Sequence, residues 1–138
     1  MSTFGSIASL LLAAASSDAL DLAPGQWEMH PEERGSKSNF SCNQEPLTIT
    51  IDRTAMRYTS TRDDYTVVGD ILAAEDQFFI IRYDGEERLD DNGEPLVWIW
   101  LSIDKDTFVW ARLDQWMAGN RGTTAPRLRC RPNTPPGV

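Results

Sequence analysis

Leu96–Leu113, LVWIWLSIDKDTFVWARL, consists of two apolar runs joined by a short Asp-Lys-Asp turn. In an extended chain side chains alternate, so Val97, Ile99 and Leu101 share one face while Leu96, Trp98 and Trp100 share the other. A strand that is apolar on both faces has to be covered on both, which a half-wet open sheet cannot do. The stretch therefore lines the inside of a closed or sandwiched β-structure and is covered from outside as well, by its own tail or by a second subunit. Three of the five tryptophans fall here, Trp98, Trp100 and Trp110.

The turn sets the register. A three-residue loop at Asp104-Lys105-Asp106 puts Ile103 opposite Thr107 and Trp100 opposite Trp110. Trp98, Trp100, Ser102, Phe108 and Trp110 then share one face as an aromatic wall. A two-residue turn would mix these rings with the aliphatic set. Three-residue loops want a residue at positive φ, where Asp is tolerated, which favours the wall.

Working outward, the other segments also read as short strands. Gln26–His30 follows an Ala23-Pro24-Gly25 turn, and Ser38–Cys42 follows a polar loop. Leu47–Asp52 (LTITID) alternates cleanly, Met56–Thr61 ends in β-branched residues, and Tyr65–Ala74 and Gln77–Tyr83 are longer. After the hairpin comes Leu128–Arg131. Pro132–Val138 is a proline-rich tail that cannot join a sheet centre. Eight or nine strands with close turns, and no helix expected after residue 20, predict an all-β single domain. Connections this short favour an antiparallel up-and-down barrel of about eight strands.

The 138 residues suffice for one core that hides about two thirds of the unfolded surface. A net charge of −8 argues against a nucleic-acid or anionic-membrane partner and leaves a cationic protein open. Ile7–Ala15 (IASLLLAAA) is an apolar run of nine residues, too short to span a bilayer. With Ala13 and Ala15 as an A-x-A site, and Ala19 as a second, it reads as a cleaved export signal without a basic leader. A short helix packed on the domain is the other reading. Residues 1–19 are thus expected to be signal, 20–131 barrel and 132–138 tail, in a periplasmic or secreted protein. Cys42 and Cys130 flank the β-rich region, and an even count beside an export signal suggests one disulfide rather than two buried thiols. Two cysteines and one distant histidine cannot complete a tetrahedral metal site, and no cofactor is expected.

Gly25-Gln26-Trp27, on the first strand of an eight-strand pattern, resembles the Gly-x-Trp signature of the calycins, the superfamily of lipocalins, fatty-acid-binding proteins and avidins. That resemblance implies a barrel closed at one end by Trp27, with an arginine of a late strand packed across it. Arg127, Arg129 or Arg131 would be that cover, and Arg129 is the one expected. The helix that lipocalins carry after the barrel is missing, which points toward shorter relatives. Among these, the bacterial metalloprotease inhibitors and the lysozyme inhibitors of Gram-negative bacteria share a single disulfide and periplasmic export. Phe40-Ser41-Cys42 followed by Leu47–Ile51 is similar to the opening of a C-type lysozyme inhibitor, whose later signature loop is absent.

Candidate sites follow. The wall residues Trp98, Trp100, Phe108 and Trp110, with Tyr65, Phe78 or Tyr83 from neighbouring strands, are the expected lining for a small apolar or aromatic ligand. The competing reading is that these rings simply fill a small barrel. Trp116 and Met117 are expected to lid an open end or pack beneath it. Asp84–Glu94 holds six carboxylates in eleven residues, without the order of an EF-hand loop, and reads as a solvated loop or a contact for a cationic protein. Most of Arg121, Arg127, Arg129 and Arg131 are expected to form rim ion pairs with it. His30, the only histidine, lies near Glu28, Glu32 and Glu33 and meets no nucleophile, so no catalysis is expected. The expected function is that of an exported binding protein, the alternative a periplasmic inhibitor of a lysozyme or protease.

Overall fold

A computed structural model describes residues 18–29 and 41–131. His30, the apolar run at Ile7–Ala15, Ser38–Phe40 of the expected second strand and the tail at 132–138 lie outside the described residues. The strands are β1 (Gly25–Met29), β2 (Leu47–Asp52), β3 (Arg57–Arg62), β4 (Tyr65–Ala74), β5 (Phe78–Tyr83), β6 (Trp98–Asp104), β7 (Thr107–Arg112) and β8 (Arg127–Arg129). Each pairs antiparallel with the next, and β8 pairs with β1, so the sheet closes into an up-and-down barrel of eight strands. A disulfide joins Cys42 to Cys130, with Cα atoms 5.6 Å apart.

Cys42 is not in a strand. The Ser41 carbonyl and hydroxyl both accept from the Gln44 amide, at 3.2 and 3.1 Å, which bends the chain into a turn before β2. Two short helices also appear. The first, α1 (Ala19–Leu22), is nucleated by a capping box in which Asp18 and Asp21 each take the other's backbone N–H. The second, α2 (Leu113–Met117), corrects the expectation of no later helix. Arg112 at its N-cap offers no side-chain hydrogen bond, so the sequence shows no start signal. It is held instead by tertiary contacts, with Gln115 donating to Asp91 at 2.7 Å.

The decisive hairpin places Trp100 opposite Trp110 and Ser102 opposite Phe108, as the wall requires. The turn, however, is the two residues Lys105-Asp106, and Asp104, not Ile103, faces Thr107. Ile103 is the extra residue of a β-bulge. One bulged residue plus a two-residue turn preserves the face parity of a three-residue loop, so the aromatics stay together. The bulge leaves Ile103 57% exposed. The opposite face of the hairpin is withdrawn from solvent too, since Ile99, Val109 and Ala111 are all buried.

The barrel has two unlike ends. The turns after β2, β4 and β6, together with α1, gather at one, called here the base. The long connections 84–97 and 113–126 gather at the other, the mouth. Along the seam where the sheet closes, β8 meets β7 at only two register positions, Thr107↔Leu128 and Phe108↔Arg127. Thr124 extends the seam by exchanging hydrogen bonds with the Trp110 backbone, at 2.9 and 3.0 Å.

Candidate functional site

The base is sealed by three residues far apart in function but adjacent in register. Trp27 pairs with Arg129 across β1 and β8. Trp27 is fully buried, and its indole N–H donates to the Ala23 carbonyl at 2.9 Å. The Arg129 guanidinium lies 4.2 Å from the centre of the Trp27 ring, a cation–π contact. It also donates to the carbonyls of Leu22, Pro24 and Lys105 and pairs with Asp106 at 3.3 Å. Gly25 allows this approach: its φ is +132°, and a Cβ there would stand 3.0 Å from Arg129 Nη1.

Above that plug the barrel is solid. Trp27 meets Phe108 edge-on with centroids 4.7 Å apart, and Trp100 stacks on Phe108 at 4.9 Å and on Phe79 at 5.1 Å. Tyr58 continues the cluster to Trp110 at 5.8 Å and to Tyr83 at 6.3 Å. Trp100 and Phe108 are completely enclosed, so these two expected ligand residues are core filling. Phe78 is a second correction. It pairs with Leu101 on the outer face, while Phe79, opposite Trp100, is the inward ring. Period-two alternation means Phe78 and Tyr83, five residues apart, cannot both face inward.

The filling stops at Trp110 and Tyr83. Beyond them lies a cavity of about 430 Å³ lined by Tyr65, Val67, Tyr83, Trp98, Trp110 and Thr124, with Asp84–Glu86 and Arg88 at its rim. Register explains the convergence: Tyr65, Val67, Tyr83, Trp98 and Trp110 all occupy inward positions at the mouth ends of β4, β5, β6 and β7. Tyr65 is 63% exposed and forms the lip. A second hollow of about 280 Å³, bounded by α2 and the 120–124 segment, shares Trp98, Trp110 and Thr124 as its wall.

The polar rim is asymmetric. Arg57 clamps Asp84 at 2.6 Å and Asp70 at 2.9 Å, and this holds the Asp84 carboxyl below its usual range. Glu86 accepts from Arg88 Nε at 2.8 Å, from Nη2 at 2.7 Å and from the Arg88 backbone at 3.2 Å. These bonds hold the Glu86 carboxyl low. The Trp98 indole N–H adds a weaker pull on it without making an aligned hydrogen bond. The Glu86 side chain is only 4% exposed, whereas its Arg88 partner is 62% exposed and lies 5.5 Å over the Trp98 ring. Burial pushes the Tyr83 phenol up to about 12.

The four late arginines do not pair with the Asp84–Glu94 loop as expected. Arg129 seals the base, and Arg121 lies 4.5 Å over the ring of Trp116. Arg127 sits on the inward face opposite Met29 and Phe108, where burial and then the like charge of Arg62 press its pKa down. Neither Arg62 nor Arg127 lines the cavity. Arg131 is exposed. The loop finds other anchors: Leu89 bridges to Pro95, Asp90 caps the amides of Asn92 and Glu94 at 2.8 and 3.0 Å, and Asp91 takes Gln115. Arg112 pairs with Asp114 at 2.7 Å and reaches Asp91 at 3.8 Å. Among the described residues no group of three His, Cys, Asp or Glu is placed to hold a metal ion, and no helix is long and apolar enough to cross a membrane. Met117 is 77% exposed and does not lid the mouth.

Sequence reasoning missed Tyr58, Phe79, Glu86 and Arg88. The first two were legible as the inward members of alternating runs. The Glu86–Arg88 pair had no signal beyond proximity within an acidic loop.

No family model matches the chain, and no curated protein matches it. Among solved structures, the crystal structure of pallilysin (Tp0751) from Treponema pallidum is similar over 93% of this chain and 97% of that one. At 9% identity and a TM-score of 0.42, that likeness carries no functional argument.

Proposed function

We propose that this protein is an exported, lipocalin-like binding protein that holds a small ligand with an apolar or aromatic body in its mouth cavity and catalyses nothing. The observation that carries this is the abrupt change along the barrel axis, from rings packed without space to a cavity of about 430 Å³ lined by Tyr65, Tyr83, Trp98 and Trp110. Concave, mostly aromatic pockets with a few polar groups at one side are the usual form of small-molecule sites. The base built on Gly25, Trp27 and Arg129 supports the calycin-like reading, and the Cys42–Cys130 bridge supports an oxidising compartment.

The test is titration with the neutral fluorescent probe N-phenyl-1-naphthylamine. Saturable binding is expected, with Trp98→Ala and Tyr65→Ala weakening it by about tenfold or more, from the loss of buried aromatic contact. Trp100→Phe, in the sealed core, should leave the affinity unchanged. A probe that does not saturate the folded protein sinks the proposal.

One observation favours a second reading, an inhibitor of a lysozyme or protease. The acidic connection 84–95 is braced internally and against α2, and it presents Leu89 at 59% exposure, as a rigid target-facing loop would. Inhibition of a cationic lysozyme, lost on substituting Leu89, would support it.

A further inference from the structure

Resting on the cavity described above, we infer that its ligand is an organic cation, an amine carried on an aromatic or apolar body, whose ammonium group takes the place of Arg88 beside Glu86 and Trp98.

The cavity combines two features that suit such a ligand. Its walls are four electron-rich rings, Tyr65, Tyr83, Trp98 and Trp110. Faces of indole and phenol attract cations by their quadrupoles, and boxes of such rings are a recurrent means of holding ammonium groups. Its rim holds one carboxylate in a position to be neutralised from the cavity side. Glu86 is that group, since Asp84 is already committed to Arg57.

The division of exposure within the Glu86–Arg88 pair is what distinguishes this from an ordinary surface ion pair. The carboxylate is fixed and shielded, at 4% exposure, while the guanidinium is the outer member, at 62%. A shielded carboxylate requires a counter-charge, and the protein provides it with the solvent-facing partner. Arg88 also lies over the face of Trp98 at 5.5 Å, so an internal cation already occupies the indole face that lines the cavity. Moving the Arg88 side chain into water costs little when another cation replaces it at Glu86. An anionic ligand would instead meet Glu86 and Asp84 at the rim. A neutral ligand would gain the rings and, from Glu86, at most a hydrogen bond without the charge attraction. The net charge of −8 draws cations toward the molecule at long range.

Three probes of one shape separate the possibilities: 2-phenylethylamine, 2-phenylethanol and 3-phenylpropanoate, titrated into the intact protein by calorimetry and by tryptophan fluorescence. The amine is expected to bind about tenfold or more tighter than the alcohol, with the carboxylate weakest. Glu86→Gln should erase the advantage of the amine and leave the alcohol unchanged. Arg88→Ala should tighten the amine severalfold, because the internal competitor is gone while the backbone amide still bonds Glu86. If the alcohol binds as well as the amine, or the carboxylate binds best, the cation inference is overturned and the cavity reading stands. If none of the three binds, both fall.

Discussion

Tyr58 and Tyr83 meet at 6.3 Å where the packed interior gives way to the cavity; Tyr58 is buried and Tyr83 is half-buried on the cavity wall. Burial pushes the Tyr83 pKa up to about 12, and that of the fully enclosed Tyr58 well above its ordinary value. An unfolded tyrosine ionises near pH 10, so the folded state holds protons that the unfolded state has already lost. The stability Tyr83 contributes is therefore complete below about pH 10 and drains away as pH rises through about 12, and that of Tyr58 is likewise lost only at alkaline pH. In an alkaline titration followed by phenolate absorbance, Tyr58 and Tyr83 should remain protonated at about pH 11 until the barrel unfolds. Their smooth ionisation in a still-folded protein would contradict the packing described. At this scale the sequence was readable where a residue type has one economical use. Trp27 and Arg129 lie in cation–π contact, and Trp98 and Trp110 line a cavity. Trp100 and Phe108 share their face but lie deeper, and depth along a barrel axis is not encoded in alternation. Phe78 was misplaced by one residue, which in a strand is the whole distance between inside and outside.

Among the elements, β8 is the weak member. It has three residues, meets β7 at two positions, and yet must complete the cylinder. Cys130 immediately follows it, and its amide donates to the Gln26 carbonyl of β1 at 2.7 Å. Cys42 lies shortly before β2, so the disulfide ties the segment that enters β2 to the end of β8. With the cysteines 88 positions apart, the chain-entropy model gives about 4–5 kcal/mol of stabilisation. A Cys42→Ser, Cys130→Ser double variant should lose stability on that order in denaturant unfolding. Hydrogen exchange should rise first at the β8 amides and at Thr124. Uniform loss of protection around the barrel would show that the seam is not the weak point. The strand order and closure followed from turn spacing alone. The bulge at Ile103 did not, because an expected three-residue loop and a bulged two-residue turn give the same faces. Nor did α2, five residues without a cap whose helix depends on Asp91, a residue over twenty positions away.

For the molecule as a whole, the first described residues bear on the export proposed above. Ala19 and Ala23 are fully buried, Leu20 nearly so, and the Ala19 amide donates to the Glu75 carbonyl at 3.1 Å. Asp18 caps α1 and pairs with Arg53 at 3.2 Å, joined by Asp21 at 2.6 Å. Processing after Ala19 would remove the cap and a buried residue, costing about 1 kcal/mol for the cap alone. Processing after Ala15 keeps both. If the chain is exported and processed as proposed, intact mass and N-terminal sequencing should find Ser16 first. A mature chain beginning at Leu20 with undiminished stability would refute the role given to α1. The all-β class was open to inspection of the sequence, since it depends on pattern. Which of the aromatic side chains leave space, and how much, depends on how seven rings from five strands tilt against one another. The sealed base has a kinetic corollary. A vessel with one opening cannot be flushed: an incoming molecule has no way to push its predecessor out from behind. Exchange of one occupant for another must wait for the first to leave, so turnover of the contents is timed by departure and is indifferent to how crowded the surroundings are.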